Sequence, residues 1–147
     1  MMLLLIAAAV QAATPAKTVP GDTTKAPATL GPIGKQAMPA RGCAAYLWST
    51  GDRALVAMAT ADSARLRLAV DGKPVDYARV DEAGPGGYGF AGVMTYRGGD
   101  LTVALDMTIV TREDLASGAM VPNATLRLER PGRDTIVLPV AGMIGCV

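Results

Sequence analysis

The chain has 147 residues, enough for one domain with a tail. Half of them are hydrophobic, but there is one Trp (Trp48), one Phe (Phe90) and four Tyr, so a core has to be built from Leu, Val, Ile, Met and Ala. The net charge of +1 excludes strong electrostatic attraction to nucleic acid or an anionic membrane, and the absence of histidine removes the commonest general base and metal ligand.

The N-terminus, MMLLLIAAAVQA, carries an apolar run from Leu3 to Val10, too short to span a bilayer at ~20 residues. Val10-Gln11-Ala12 fits a small-x-small cleavage site, so residues 1–12 are expected to be a secretory signal peptide, although no Lys or Arg precedes the run. The mature chain is then expected to have no transmembrane segment and to be periplasmic or secreted. Residues 13–41 hold Pro15, Pro20, Pro27, Pro32 and Pro39 among Thr, Ala, Gly and Lys, without hydrophobic periodicity, and read as a disordered linker. Lys17, Lys25, Lys35 and Arg41 against Asp22 give it a charge of 4 − 1 = +3, leaving 42–147 with ten basic and twelve acidic residues, or −2.

From residue 42 onward the pattern is that of strands. CAAYLWS and RALVAMAT flank the turn at 50–52. ARLRLAVD (64–71) places Leu66, Leu68 and Val70 on one face and Arg65, Arg67 and Asp71 on the other; Asp71-Gly72 is a tight-turn signal, and KPVDYARV returns. YGFAGVMTY (88–96) reads as a further strand after the glycine-rich loop 82–89. DLTVALDMTIVT (100–111) is the cleanest alternation, with Leu101, Val103, Leu105, Met107 and Ile109 on one side. TREDLASG (111–118) reads as a short helical turn, with Thr111 as N-cap, Glu113 and Asp114 in the first turn and Gly118 as the stop. ATLRLER (124–130), the turn at 131–134, and a strand with Ile136, Leu138 and Val140 inward complete the chain. About eight such strands indicate an all-β fold, a small antiparallel sandwich or barrel. A membrane-spanning barrel would need two aromatic girdles, which six aromatic residues cannot supply.

Cys43 opens the first of these strands and Cys146 closes the last. A bridge between them would close the β-domain 42–147 on itself, and closing a loop of ~100 residues is worth about 4.7 kcal/mol in the chain-entropy treatment. Export and an even cysteine count favour that bridge.

No catalytic constellation emerges. Without histidine there is no Ser-His-Asp triad and no His-ligated zinc, and the bridge would consume both thiols. Lys73 sits at a hairpin turn, where lysines face water. Asp81-Glu82 and Glu113-Asp114 are adjacent carboxylates of the solvated kind. The glycine-rich 82–89 lacks the Lys-Ser/Thr of a phosphate loop. Arg65, Arg67 and Arg127, with Arg79, Arg97, Arg130 and Arg133 near strand ends, could bind an anion only by converging. The expectation is a non-enzyme with no cofactor and no metal.

AGPGGYGFAGVMTYRGGD (83–100) resembles the loop region of the periplasmic inhibitors of c-type lysozyme, small antiparallel barrels with a disulfide joining early and late strands. The family pattern is Ser-Gly-x-x-Tyr, then an aromatic eight residues on, followed two later by Lys-Gly. Here Tyr88 and Tyr96 are eight apart, and Gly84 and Gly98 stand at the serine and lysine positions. The resemblance implies a proteinaceous lysozyme inhibitor, with loop 83–89 and hairpin 97–100 side by side and protruding. The residues alone indicate an exported binding or structural module of the cell envelope with a protein or other envelope partner. The candidate contact surface is Gly84, Gly87, Tyr88, Tyr96, Arg97 and Asp100.

Overall fold

The computed structural model describes residues 29–147; the signal peptide expected at 1–12 and residues 13–28 of the linker expected at 13–41 lie outside the described residues. The described residues form nine strands: β1 (Leu30–Gly31), β2 (Cys43–Ser49), β3 (Leu55–Thr60), β4 (Arg65–Val70), β5 (Lys73–Ala83), β6 (Val93–Gly98), β7 (Leu101–Val110), β8 (Gly118–Glu129) and β9 (Ile136–Cys146). Strands β2 to β9 each pair antiparallel with their sequence neighbour, and β9 pairs back onto β2. The sheet is therefore a closed, up-and-down barrel of eight strands, with β1 as an extra strand on β4. The sandwich alternative is resolved in favour of the barrel, which leaves no long exposed edge.

Closure follows from the alternation. Inward side chains from all eight strands form one apolar cluster, including Leu47, Ala57, Leu66, Leu68, Tyr96, Leu105, Leu126 and Val140, so the lumen is filled. Eight strands leave an interior just wide enough for that. The wall closes tightly at Gly142, where a Cβ would overlap the carbonyl oxygen of Tyr46 on β2. Register shifts at Leu47/Trp48, Arg79/Asp81, Thr108/Val110 and Val121/Ala124 mark bulges in the strands, the last where Pro122-Asn123 leave the β8–β9 ladder.

Cys43 and Cys146 are register partners at the β2–β9 seam and are joined by a disulfide across 103 residues. Connections 61–64, 84–92 and 111–117 lie at this disulfide end. Connections 50–54, 71–72, 99–100 and 130–135 lie at the far end.

Two local expectations change. Segment 111–117 is a series of turns, with one backbone bond from Leu115 to Arg112, and the described residues contain no helix. Gly118 begins β8 opposite Gly145 on β9, because ladder pairing outweighs a short, weakly nucleated helix. Strand β6 begins at Val93 and ends at Gly98, so residues 88–92 belong to the preceding loop.

Ordered structure also begins upstream of residue 42. Residues 29–42 form a strap that runs along the outer wall from the far end to the disulfide end. Thr29 N–H donates to Asp71 Oδ1 at 3.0 Å, Leu30 and Gly31 pair with Val70 and Ala69, and Ile33 N–H donates to the Leu55 carbonyl at 2.9 Å. Ile33 is buried on Ala44, Met58 and Ala69, a second apolar cluster outside the barrel. Gln36 Oε1 accepts from Arg67 at 2.8 Å, and Tyr46 Oη donates to the Ala37 carbonyl at 3.1 Å.

Candidate functional site

The loop 84–92 is the longest connection at the disulfide end, and it folds over the barrel mouth. Gly87 and Phe90 exchange backbone hydrogen bonds at 2.9 and 3.0 Å, enclosing Tyr88 (φ 59°) and Gly89 (φ 84°). Two successive positive φ values make this a type I′ turn, a geometry tyrosine rarely adopts. The turn swings Phe90 into the apolar cluster as a plug, with Tyr88 half-buried beside it. Gly86 has no room for a side chain, since a Cβ there would meet the Phe90 carbonyl.

Arg79 reinforces the plug from β5. It stands opposite Tyr96, and its side chain is only 17% exposed. Its Nη1 donates to the Gly89 carbonyl at 3.3 Å and to Met94 Sδ at 3.7 Å, and it pairs with Glu82 at 3.3 Å. Below it Tyr96 is fully buried and donates to Met94 Sδ at 3.4 Å; burial pushes its hydroxyl up to about 12.

The six residues of the candidate contact surface therefore separate. Gly84, Gly87 and Tyr88 share the loop at the disulfide end. Tyr96 faces the lumen and contributes nothing to the surface, because its alternation phase on β6 points inward. Arg97 is exposed on the outer wall between Ala78 and Thr102. Asp100 is exposed in the far-end turn, 3.4 Å from Arg130 Nε. The loop and the hairpin expected side by side stand at opposite ends of β6, about 20 Å apart at 3.4 Å per residue.

What the loop leaves accessible is a pair of hollows meeting at Gly84. One, of about 420 Å³, lies between Gly84–Gly86, Gly92-Val93 and Asp106–Ile109. The other, of about 460 Å³, lies between Arg79, Glu82–Gly84 and Gly89–Ala91. They offer backbone groups, the edges of Val93 and Ile109 and the Arg79–Glu82 pair, which suits contact with an extended or protruding partner group. Sequence reasoning placed the loop but missed Phe90 as its anchor and Arg79 as its support.

The arginines do not converge on one anion site; most engage carboxylates. Arg67 forks onto Asp76 at 2.7 and 2.9 Å, and this pair holds Asp76 below the usual carboxylate range. Arg127 meets Glu129 at 2.6 Å and Arg112 meets Asp114 at 2.8 Å. Arg130 reaches Asp71 and Asp100. Among the described residues no group of three or more Cys, Asp and Glu gathers in a metal-binding arrangement.

These features define a class of protein: a filled, up-and-down antiparallel barrel, sealed covalently at the seam between its first and last wall strands and strapped along one outer face. No protein family, no curated protein and no solved structure matches the chain.

Proposed function

We propose that this chain is an exported, non-catalytic barrel that works by surface contact in the cell envelope, with loop 84–92 as its contact surface. The observation that carries the reading is the filled lumen: Leu47, Leu66, Leu68, Met94, Tyr96, Leu105 and Leu126 are fully buried inside it, which leaves the outside for recognition. The Cys43–Cys146 bridge supports an oxidising compartment, where such bonds persist. The glycine-rich lid supports recognition at the disulfide end, since loops on a rigid scaffold commonly carry binding.

The test is site-specific photo-crosslinking in cells that express the full chain. A photoreactive residue replaces exposed Pro85 in the lid, and a second version replaces exposed Pro131 at the far end. A discrete crosslinked species from position 85, absent from position 131, with the protein recovered oxidised in the envelope fraction, supports the proposal. Recovery as a reduced cytoplasmic protein removes the export half, and crosslinks indifferent to position remove the lid.

A further inference from the structure

We propose that Met38, Met120 and Met143 form a soft-metal site on the outer wall of the barrel that takes Cu(I), or its analogue Ag(I), through thioether sulfur. The chain has eight methionines, six of them among the described residues. Met58, Met94 and Met107 are buried, as expected of a flexible gap-filling side chain. Met58 also lies outside the lumen but is packed with Ile33 of the strap, whereas Met38, Met120 and Met143 lie on the outer wall with solvent access.

The register brings them together. Met120 on β8 and Met143 on β9 are direct cross-strand partners, and Met143 is in turn the partner of Tyr46 on β2. Directly opposed residues on one face have Cβ atoms about 5 Å apart. Both are outward, because Ala119, Val121 and Ile144 beside them are the ones buried in the lumen. Met38 reaches the same spot from the strap. Its sulfur lies 3.4 Å from Tyr46 Oη, and its methyl group sits 3.2 Å from where a Cβ on Gly145 would be. The missing side chain at Gly145, two residues from Met143 on the same face, is what lets Met38 settle there. Met38 is 50% and Met143 46% exposed, so an ion can reach them from solvent.

The surroundings set the selectivity. The neighbouring outward positions on β8, β9 and β2 are Gly118, Gly145, Ala141, Ala44 and Trp48, none of which carries a carboxylate. The donors are thus neutral sulfurs with one phenol at hand. Such a set suits a soft monovalent ion and offers nothing to Mg²⁺, Ca²⁺ or Mn²⁺, which prefer oxygen. The chain has no histidine, and both cysteines are in the disulfide, so no stronger soft ligand competes. Binding involves no redox step, because the ion enters and leaves as a monovalent cation. The site lies on the strap side of the disulfide end, apart from loop 84–92, and does not depend on the function proposed above.

The test is a titration of the full, oxidised chain with silver nitrate in chloride-free buffer, followed through the ¹³C-methyl signals of methionine. One equivalent is expected to saturate the shifts of Met38, Met120 and Met143 while those of the lumen-facing Met94 and Met107 stay in place. Met120→Leu and Met143→Leu, close in volume and on the outside of the fold, are each expected to weaken binding by at least the roughly tenfold that even an outer-shell partner is worth at metal sites. The buried Met107→Leu change is expected to leave the affinity unchanged. Non-saturating shifts spread over all methionines, or affinity unchanged in the triple Met38→Leu, Met120→Leu, Met143→Leu variant with its melting temperature preserved, would overturn the proposal.

Discussion

At the disulfide end the barrel mouth is shut by the ring of Phe90, swung in by a glycine-rich loop, and by a covalent bond between the neighbouring strands β2 and β9. At the far end the connections include the two-residue turns at 71–72 and 99–100, and the mouth is held by charge. There Arg130, 18% exposed, spans Asp71 at 3.3 Å and Asp100 at 3.4 Å near the buried Tyr77, and Asp71 also holds the strap at Thr29. Two mouths of one barrel thus show two ways to close it. Apolar burial and a covalent link respond little to salt or to mild acid. An exposed ion cluster responds to both.

The largest effect is expected from removing the plug. Phe90→Ala deletes a buried ring whose site cannot collapse freely under Gly86 and Gly89, so it should cost about 3–5 kcal/mol, measured by urea unfolding of the oxidised protein. Next comes the covalent link. Cys43→Ser with Cys146→Ser should cost about 2–5 kcal/mol, since it frees a loop spanning nearly the whole domain in the unfolded chain. If both changes instead leave the midpoint within error of the parent, the disulfide end does not depend on burial and cross-linking as argued.

The smallest effect belongs to the far end and has a pH signature. Asp71 lies below the ordinary carboxylate range, first because the Thr29 amide donates to it and then through Arg130 and Arg133. A carboxyl depressed in the folded state adds stability that is fully present above about pH 4, its unfolded range, and is lost as pH falls through the lower folded value. Hydrogen exchange at Thr29 and Gly31 should therefore quicken, relative to amides beside the disulfide, as pH drops below about 4. Asp71→Asn should flatten that difference, with little change at neutral pH for so exposed a group. Equal acid responses at the two ends would erase the contrast.

Legibility differed along the chain for physical reasons. Segment 101–110 was readable because one face is buried and the other wet, so the period of two is written in its residues. Asp71-Gly72 was readable because the turn needs two positive φ values, found at 53° and 80°. The stretch 88–96 misled because Tyr88, Phe90, Met94 and Tyr96 fall on alternate positions, as a strand would place them, while the turn at Tyr88-Gly89 breaks the phase. The strap was the hardest part to read. Its anchors are Leu30, Ile33 and the side chain of Gln36, too few to show periodicity among prolines, and the outer-wall surface they meet comes from β2 to β4, far along the chain.

By itself the sequence determined the all-β class, most of the strands, the tight turn at Asp71-Gly72 and the partnership of Cys43 with Cys146. Each of these is local patterning or, for two cysteines, simple counting. Only the tertiary structure decided that the sheet closes as a barrel, that Tyr96 faces in while Met143 faces out, that the loop and hairpin around β6 lie at opposite ends, and that residues 29–42 wrap the wall. Those outcomes depend on which distant strands become neighbours and in what register, and alternation along one strand carries no record of either.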